Sequence, residues 1–353
     1  MEVGSEFNIS LSDLNVKEDN FISYISNYGE AIHFDSGRSA IRAIAAFISY
    51  DYQVLLPDYI CESVIKCFNF ENVVFYKTNN NFTIDMDDFR KKALGDPKVF
   101  FLMHYYGKLQ SRETLDEIAK LASSSGSIII EDATHSLFTE VHTIGDYVVA
   151  SERKWLPVPK AGLLITVNDK LGIGEPVYER TCDNSKAFGM ILKTMFLQGE
   201  MDCNAVYRKI FASSEEALDR QDKILGISDF SEFVLKSTDV KNIKTKRLEN
   251  YKSLRLKLEA IGVSLPIDFN DEECPFALPI RVPDRDLLRA YLIDNKVFCA
   301  VHWPSDGIRE NERVQAVKNS RELISLPIDQ RYGEEHMDYI AKAIEGYRGR
   351  LQF

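Results

Sequence analysis

The stretch Ile128-Ile129-Ile130-Glu131-Asp132-Ala133-Thr134-His135 decides the fold prediction. Three consecutive isoleucines are typical of a strand that is buried on both faces. This strand runs directly into two acids and then, three residues after Asp132, into a histidine. A carboxylate at the end of a buried strand is costly unless a cation or hydrogen-bond donors partner it. Asp132 is therefore predicted either to pair with a cationic ligand or to cap the following helical turn.

The segments on either side of this strand alternate between short apolar runs and helical patterns. The other predicted strands are Val54–Leu56, Val73–Tyr76, Val99–Met103 and Tyr147–Val149. The predicted intervening helices include Ala40–Ser49, Ile60–Phe68 and Ser111–Ser123. Such alternation predicts an α/β fold with a mainly parallel sheet covered on both faces. Because ligands of open α/β sheets bind at the carboxyl ends of the strands, we expect the chemistry there.

The pattern changes at about Lys241, which predicts two domains. Residues 1–240 would form the large α/β domain, which closes with a helical stretch from about Ser185 to Leu225. Residues 241–353 begin with a helical pattern that runs to about Ile261. Shorter units follow at Phe276–Val282, Asp284–Asn295 and Phe298–Val301, with a terminal helix from about Glu334. These residues are predicted to form a smaller C-terminal α+β domain.

A second polar turn follows the strand that ends at Ala150, and it carries Lys154. The sequence there is Ser151-Glu152-Arg153-Lys154-Trp155, followed by a proline-rich loop. A lysine held between a strand end and an aromatic loop can be partly desolvated, which lowers its pKa and favours the neutral amine that a Schiff base requires. The alternative is an exposed loop lysine, which is the common situation for this residue type.

A possible phosphate site precedes both segments, at Asp35-Ser36-Gly37-Arg38. A Ser-Gly turn that opens a helix presents free N–H groups and the positive end of the helix dipole, which bind phosphate well. A plain helix cap by Ser36 is equally compatible with the sequence. The order of the three segments is more informative than any one of them. A helix start, a strand-end acid and, 22 residues after that acid, a strand-end lysine suit pyridoxal phosphate (PLP), whose protonated ring nitrogen an aspartate stabilises.

His104 follows another predicted strand, in Met103-His104-Tyr105-Tyr106-Gly107. It either lines a cleft at the carboxyl edge of the sheet or is a hydrogen-bonded packing histidine, and the sequence favours neither.

The composition indicates which kinds of partner and which cellular compartment to expect. The net charge of −11 argues against nucleic acid and against an anionic membrane surface. The six cysteines form no CxxC pair, so we expect no metal site and no disulfide framework. The longest apolar runs are far too short to cross a bilayer, and the first residues lack a signal-peptide pattern. A cytoplasmic setting is expected.

These motifs resemble the DegT/StrS-type family of sugar aminotransferases, which are fold-type I PLP enzymes. The resemblance covers nearly the whole chain. The segments that carry it are Ser36–Ala40, Leu56–Tyr59, His104–Gly107, Glu131–His135, Ser151–Lys154, His302–Pro304 and Ser325–Gln330. It implies a large, mainly parallel domain with a small C-terminal α+β domain, PLP as cofactor and a homodimer.

The resemblance also implies the catalytic roles. Lys154 would form a Schiff base with the cofactor and later move a proton during the reaction. Asp132 would pair with the ring nitrogen. His135 stands where the family usually has glutamine, near the phenolic oxygen of the cofactor.

Further cofactor contacts follow from the same resemblance. Ser36, Gly37 and Arg38 lie at the helix start that would bind the phosphate, Gly37 and Arg38 through their backbone N–H groups, and Ser151 would add its hydroxyl. An aromatic residue normally stacks on the ring in the loop after Pro57. Tyr59 and Cys61 lie in that loop and complete the predicted cofactor site.

Two departures from the family concern the surroundings of the lysine. Family members usually carry a Gly-Tyr-Asn-like motif whose asparagine reaches the phosphate bound by the neighbouring subunit. This chain has no such motif, and Asp183-Asn184 is the nearest candidate. In addition, Ser151 and Lys154 are only three residues apart, and Pro157-Val158-Pro159 follows.

The implied reaction is a two-step transamination. An amino donor, by analogy glutamate, would leave its amine on the cofactor, and a keto-sugar nucleotide of surface-polysaccharide or secondary-metabolite biosynthesis would accept it. His302 would contact the acceptor and Arg331 a substrate carboxylate, unless these residues are structural. The alternatives are a dehydratase, a non-sugar acceptor or a non-catalytic relative. Family dehydratases replace the lysine with histidine, so the presence of Lys154 argues against that branch.

Overall fold

A computed structural model of the chain describes residues 2–49, 52–173, 179–181, 184–304 and 307–348. The strands are β1 Val3–Gly4, β2 Glu30–Phe34, β3 Gln53–Pro57, β4 Val73–Tyr76, β5 Lys98–Met103, β6 Ile128–Asp132, β7 Tyr147–Ala150, β8 Gly162–Thr166, β9 Glu179–Arg180, β10 Leu225–Gly226, β11 Leu278–Arg281, β12 Val297–Phe298 and β13 Leu323–Leu326.

The helices alternate with these strands in the first half of the chain and are more frequent after it. They are α1 Phe21–Ser26, α2 Gly37–Ala45, α3 Glu62–Ile65, α4 Met86–Ala93, α5 Arg112–Ser125, α6 Ser185–Leu197, α7 Asn204–Arg220, α8 Asp229–Lys236, α9 Ile243–Ala260, α10 Arg285–Asp294, α11 Val314–Glu322 and α12 Glu334–Arg348. A 3₁₀ turn, Glu152–Lys154, carries the predicted Schiff-base lysine.

Within the described residues, nine strands form one large sheet in the order β4-β3-β5-β6-β7-β8-β2-β10-β9. The strands from β4 to β7 are parallel, whereas β8 and β2 pair antiparallel with their neighbours. The predicted mainly parallel sheet is thus confirmed, and each of the five predicted strands is present. The sequence prediction omitted β2 and β8, which extend the sheet beyond β7.

The parallel strands are buried on both faces because side chains alternate between two apolar layers. On β5, Phe100 and Leu102 pack against Phe89 of α4 and Leu115 of α5. Val99, Phe101 and Met103 belong to the larger core on the opposite face. Strands covered on both sides have continuous apolar runs, which is why the sequence predicts them well.

The C-terminal part of the chain builds a smaller sheet and its helices. Strands β11 and β13 pair antiparallel, and α9 packs against α12. The start of the chain joins this part, because β1 pairs in parallel with β12, Val3 opposite Val297. The division into domains at Lys241 stays a prediction. Among the described residues, no helix is both long and apolar enough to cross a membrane.

Candidate active site

Two adjoining cavities open where the parallel strands end. The inner cavity has a volume of about 210 Å³ and the outer cavity about 420 Å³, and both are lined by Arg153, Lys154 and Glu215. The inner cavity lies beyond the carboxyl ends of β6 and β7, where the sequence predicted the chemistry. Eight of the nine predicted cofactor-binding residues line it, namely Ser36, Gly37, Arg38, Cys61, Asp132, His135, Ser151 and Lys154.

The start of α2 forms one wall of the inner cavity. Ser36 caps this helix by accepting a hydrogen bond from the backbone N–H of Ser39 at 3.2 Å. In the described part of the chain, the N–H groups of Gly37 and Arg38 make no hydrogen bond. A Cβ atom at position 37 would lie 3.2 Å from the Cβ of Ser151, so this helix start and the Ser151 turn adjoin. Free helix N–H groups beside a hydroxyl suit a phosphate group.

Gly162 allows β8 and the start of α2 to approach closely. The sequence interpretation did not single out this glycine. A Cβ atom at position 162 would lie 2.0 Å from the carbonyl carbon of Ser36 and 2.3 Å from the N of Gly37. Only glycine therefore allows β8 to pass under the start of α2. An isolated glycine at a strand start is a weak sequence signal, because it equally suits a turn.

Two arginines beside the helix start are held by one face of α7. Arg38 pairs with Asp219 at 2.9 Å, and Arg153 pairs with Glu215 at 2.7 Å. Glu215 also pairs with Lys186. Although desolvation alone would raise it, Arg153 and Lys186 hold the pKa of Glu215 at about 2. The two acids are four residues apart and therefore lie on the same side of the helix.

Asp132 is buried at the end of β6, with 5% of its surface exposed. Its Oδ1 accepts a hydrogen bond from the backbone N–H of Thr134 at 2.8 Å. Desolvation raises the pKa of Asp132 to about 6, and the contacts with Thr134 oppose this rise. A carboxylate with so little compensation is stabilised by any cation that enters the cavity beside it.

Thr134 links the two loops that carry the acid and the lysine. Its hydroxyl accepts the N–H of Ser151 at 3.0 Å, and its carbonyl accepts the indole N–H of Trp155 at 2.7 Å. Together with the bond to Asp132, these contacts fix the end of β6 relative to the Lys154 turn. The sequence interpretation assigned no role to Thr134, since a threonine in a turn has many ordinary explanations.

The side chain of Lys154 projects into the cavities. It keeps solvent-accessible area because it lines open space, while the surrounding protein atoms still desolvate the amine. Desolvation lowers the pKa of Lys154 to about 8, and the nearby Arg153 contributes to this lowering. No described residue forms a hydrogen bond or an ion pair with its amine. Lys154 is therefore a free amine whose neutral form is accessible near neutral pH.

His135 stands between two aromatic rings on another wall of the inner cavity. Its ring stacks on Phe276 with centroids 4.3 Å apart and on Trp303 with centroids 5.3 Å apart. Its Nδ1 accepts the N–H of Tyr106 at 3.4 Å. Desolvation, together with His302 and Lys154, holds the pKa of His135 well below its usual range. The ring is therefore neutral at physiological pH.

Of the two residues that were predicted to bind the cofactor from the loop after Pro57, only Cys61 lies in the inner cavity. Cys61 lines the inner cavity, with its Sγ 3.0 Å from the hydroxyl of Ser63. Tyr59 does not line the cavity. Its hydroxyl donates to the carbonyl of His302, and its ring stacks on Tyr105 at 5.4 Å. Tyr59 is thus part of an aromatic cluster behind the site.

His104 lies outside both cavities and is completely buried. Its Nε2 is 3.0 Å from Oε1 of Glu131, and its Nδ1 accepts the N–H of Gln110 at 3.1 Å. Although burial alone would raise it, the contacts with His104 and with the backbone of Thr143 and Gly145 hold the pKa of Glu131 at about 2. Of the two interpretations of His104, the structure supports the hydrogen-bonded packing histidine.

The outer cavity is lined by the other two residues predicted to contact substrate, His302 and Arg331. Nδ1 of His302 is 2.8 Å from the hydroxyl of Ser325, and desolvation lowers the pKa of His302 to about 3. Arg331 binds Asp329 with two nitrogens, at 2.8 and 2.9 Å, and also donates to the carbonyls of Ser5 and Glu6. The guanidinium of Arg331 is thus engaged by the protein itself, which favours a structural role for it.

The candidate replacement for the family's asparagine motif is only partly visible. Asp183 lies outside the described residues. Asn184 precedes α6, and its side chain makes no capping hydrogen bond. Asn184 lines neither of the two cavities.

One sequence relative is similar over most of the chain. The Pleiotropic regulatory protein of Geobacillus stearothermophilus is 24% identical over 290 residues, which cover 76% of this chain and 70% of the relative. No model of a known protein family matches the chain.

Solved structures match over almost the whole length. The aminotransferase TlmJ from Streptoalloteichus hindustanus has a TM-score of 0.70 at 14% identity and covers 100% of both chains. The chain has the fold of this aminotransferase and of the two solved aminotransferases described next. A DegT DnrJ EryC1 StrS aminotransferase from Brucella abortus has a TM-score of 0.65 at 15% identity, over 93% of this chain and 89% of its own. The sugar aminotransferase CalS13 from Micromonospora echinospora has a TM-score of 0.65 at 13% identity, over 98% and 100%. The predicted fold class is confirmed.

Proposed function

We propose that this chain is a pyridoxal-phosphate-dependent aminotransferase. The observation that carries the proposal is the arrangement of the inner cavity. A free lysine amine, a buried carboxylate and two helix N–H groups that make no hydrogen bond within the described chain share one cavity of about 210 Å³. These three groups match the aldehyde, the ring nitrogen and the phosphate of the cofactor in chemical character.

Each residue of the inner cavity has a distinct task in this proposal. Pyridoxal phosphate supplies an electron-accepting ring and an aldehyde that carries an amine between two substrates. Lys154 would hold the cofactor at its aldehyde carbon and, because its pKa is about 8, its Nζ can give and take a proton near neutral pH. Asp132 would pair with the ring nitrogen, and Ser151 together with the N–H groups of Gly37 and Arg38 would hold the phosphate.

His135 and its aromatic neighbours exclude water from one side of the cofactor. A neutral imidazole flanked by Phe276 and Trp303 adds no positive charge that would compete with the ring nitrogen for the carboxylate of Asp132. The low-dielectric wall also strengthens the interaction between Asp132 and the ring.

Absorbance spectroscopy tests the cofactor assignment. The purified chain is expected to develop the visible absorbance of a lysine Schiff base when PLP is added, because Lys154 has a free amine. Lys154→Ala is expected to lose this band, while Lys91→Ala, which changes an exposed lysine on α4, is expected to keep it. An unchanged band in Lys154→Ala, or no band in the wild type, contradicts the proposal.

We further infer that the amino donor is glutamate and that the acceptor is a keto-sugar nucleotide. The resemblance of the motifs to sugar aminotransferases supports this acceptor class, which belongs to surface-polysaccharide or secondary-metabolite pathways. Glutamate is expected to bleach the Schiff-base band, and a keto-sugar nucleotide is expected to restore it. A band that persists in excess glutamate contradicts the choice of donor.

We also propose that the active form is a cytoplasmic homodimer that binds neither nucleic acid nor membranes. The negative net charge supports the last point. Exposed apolar side chains on α6, on α7 and on the loop between them support a protein interface, namely Phe188, Leu197, Met201 and Val206. A strictly monomeric elution in gel filtration, at every protein concentration tried, contradicts the dimer.

A further inference from the structure

Arg247 is a buried arginine in the wall of the outer cavity, with only 1% of its surface exposed. It lies in the second turn of α9, at the start of the predicted small domain. A buried guanidinium is costly unless its charge is paired or its donors are bonded. The partners of Arg247 therefore indicate whether the charge is structural or serves a ligand.

Two neutral acceptors hold this guanidinium in place. Its Nε donates to Oε1 of Gln330 at 2.9 Å, and its Nη1 donates to the carbonyl of Phe276 at 2.7 Å. The guanidinium also stacks on the ring of Trp155, 4.3 Å from the ring centroid. An arginine has five N–H donors, so Nη2 and one proton of Nη1 remain free. Within the described chain, no carboxylate lies within 4.0 Å of the Arg247 nitrogens.

The other basic side chains around the outer cavity differ from Arg247 in this respect. Arg153 pairs with Glu215, Lys186 with Glu6 and Glu215, and Arg331 with Asp329. Among the described lysines and arginines that line this cavity, only Lys154 and Arg247 have no carboxylate partner. The cavity thus contains the amine of Lys154, next to which the amino group of the donor would react, and the unpaired guanidinium of Arg247.

The position of Arg247 is coupled to that of Lys154. Trp155, on which Arg247 stacks, directly follows Lys154 in the chain. Gln330 binds Nε of Arg247 and donates to the carbonyl of Trp155 at 2.7 Å. The plane of the guanidinium is therefore fixed relative to the turn that carries the lysine. A fixed planar fork suits a carboxylate, which accepts two parallel N–H bonds.

We propose that Arg247 binds the carboxylate of the amino acid that donates its amine at Lys154. The carboxylate is held in the outer cavity by the free donors of Nη1 and Nη2. This role rests on the proposed aminotransferase function and adds to it the residue that holds the carboxylate of the donor. It assigns to Arg247 the task that the sequence interpretation offered to Arg331, whose guanidinium is already bound by Asp329.

Calorimetry with glutarate, a five-carbon dicarboxylate without an amine, tests the proposal independently of any reaction. The full chain is titrated with and without PLP. Arg247→Lys keeps the charge and most of the stem but loses the fork, so glutarate is expected to bind about tenfold or more weakly than to the wild type. Arg331→Lys is expected to bind glutarate within about threefold of the wild type. Equal weakening by both variants, or none by Arg247→Lys, overturns the proposal.

A comparison within the wild type guards against a variant that fails to fold. Glutaramide has the same carbon chain as glutarate but no charge, and it is expected to bind at least about tenfold more weakly because it cannot pair with a guanidinium. Equal binding of both compounds overturns the proposal. Arg247-dependent binding of glutarate in a chain that shows no PLP band would refute the cofactor assignment and keep the carboxylate site. A PLP band without glutarate binding would refute the carboxylate site at Arg247 and keep the cofactor assignment.

Discussion

At the scale of single residues, desolvation distinguishes the functional from the structural interpretation of Asp132 and Lys154. Asp132 and Lys154 are ambiguous in the sequence because an acid after a strand and a lysine in a loop both have common structural explanations. The fold brings them to one cavity, where desolvation shifts the pKa of each towards its neutral form. The clustering of Arg247 with Lys241, Lys244 and Lys246 favours a solvated helix face in the sequence, and this interpretation is wrong for Arg247, which is 1% exposed.

Replacement of Asp132 by asparagine is expected to stabilise the cofactor-free chain in a pH-dependent way. The folded pKa of about 6 lies above the usual aspartate value of 3.8, so the folded chain binds this proton more tightly than the unfolded chain does. The wild type therefore loses stability as the pH rises from about 4 through 6, by up to about 3 kcal/mol. The asparagine amide cannot ionise and avoids this loss, since its oxygen can still accept the N–H of Thr134.

The measurement is urea unfolding of Asp132→Asn and wild type without PLP, at pH values between about 4 and 8. The gain is expected above about pH 6 and should vanish near pH 4, and PLP affinity should fall. Asp87→Asn, at an exposed acid on α4, serves as control and should change stability little at any pH. A variant that is less stable than the wild type at the alkaline end of this range would show that Asp132 is not penalised by burial.

At the scale of elements, the five parallel strands were predicted from their continuous apolar runs, and the antiparallel strands β2 and β8 were not predicted. β2 contains Glu30-Ala31-Ile32-His33-Phe34, in which polar residues interrupt the apolar pattern. β8 contains Leu163-Leu164-Ile165, a signal as clear as that of the other strands, which the interpretation left unused. The pairing of β2 with β8 brings the start of α2 beside the lysine turn, so the phosphate wall depends on these two strands.

Gly162→Ala is expected to disrupt this wall. The added Cβ would lie 2.0 Å from the carbonyl carbon of Ser36, which cannot move without displacing the start of α2. We expect a loss of more than about 3 kcal/mol in the free energy of unfolding, together with weaker PLP binding. Gly333→Ala is the matched control, because the nearest atom to its Cβ would be the flexible end of Lys246 at 3.9 Å. Similar stability of both variants in urea unfolding would contradict the close approach.

At the scale of the whole molecule, the first residues of the chain contribute to the wall of the outer cavity. Gly4, Ser5, Glu6 and Phe7 line this cavity, and Arg331 binds the carbonyls of two of them. Nothing in the sequence predicts that contact, because the pairing of β1 with β12 joins Val3 to the distant Val297 and each strand has only two residues.

Val3→Ser is expected to weaken this closure. Val3 is completely buried, and its replacement should lower the free energy of unfolding by about 2 kcal/mol. Val16→Ser is the control, since Val16 is 61% exposed and its replacement should change stability by less than about 0.5 kcal/mol. Thermal unfolding of the two variants gives the comparison. Equal melting temperatures would mean that β1 is not held by the rest of the chain.

The long-range pairing of β1 with β12 also has a consequence for the order in which the molecule is completed on the ribosome. Apart from Trp303, the inner cavity is built from residues 36–219, which emerge early. The outer cavity is lined by Gly4 at the end of β1 and also by Arg331, so its wall closes only after residue 331 has been translated. Because folding during synthesis proceeds from the N-terminus, the nascent chain presents its lysine amine before it has a finished pocket for a second ligand.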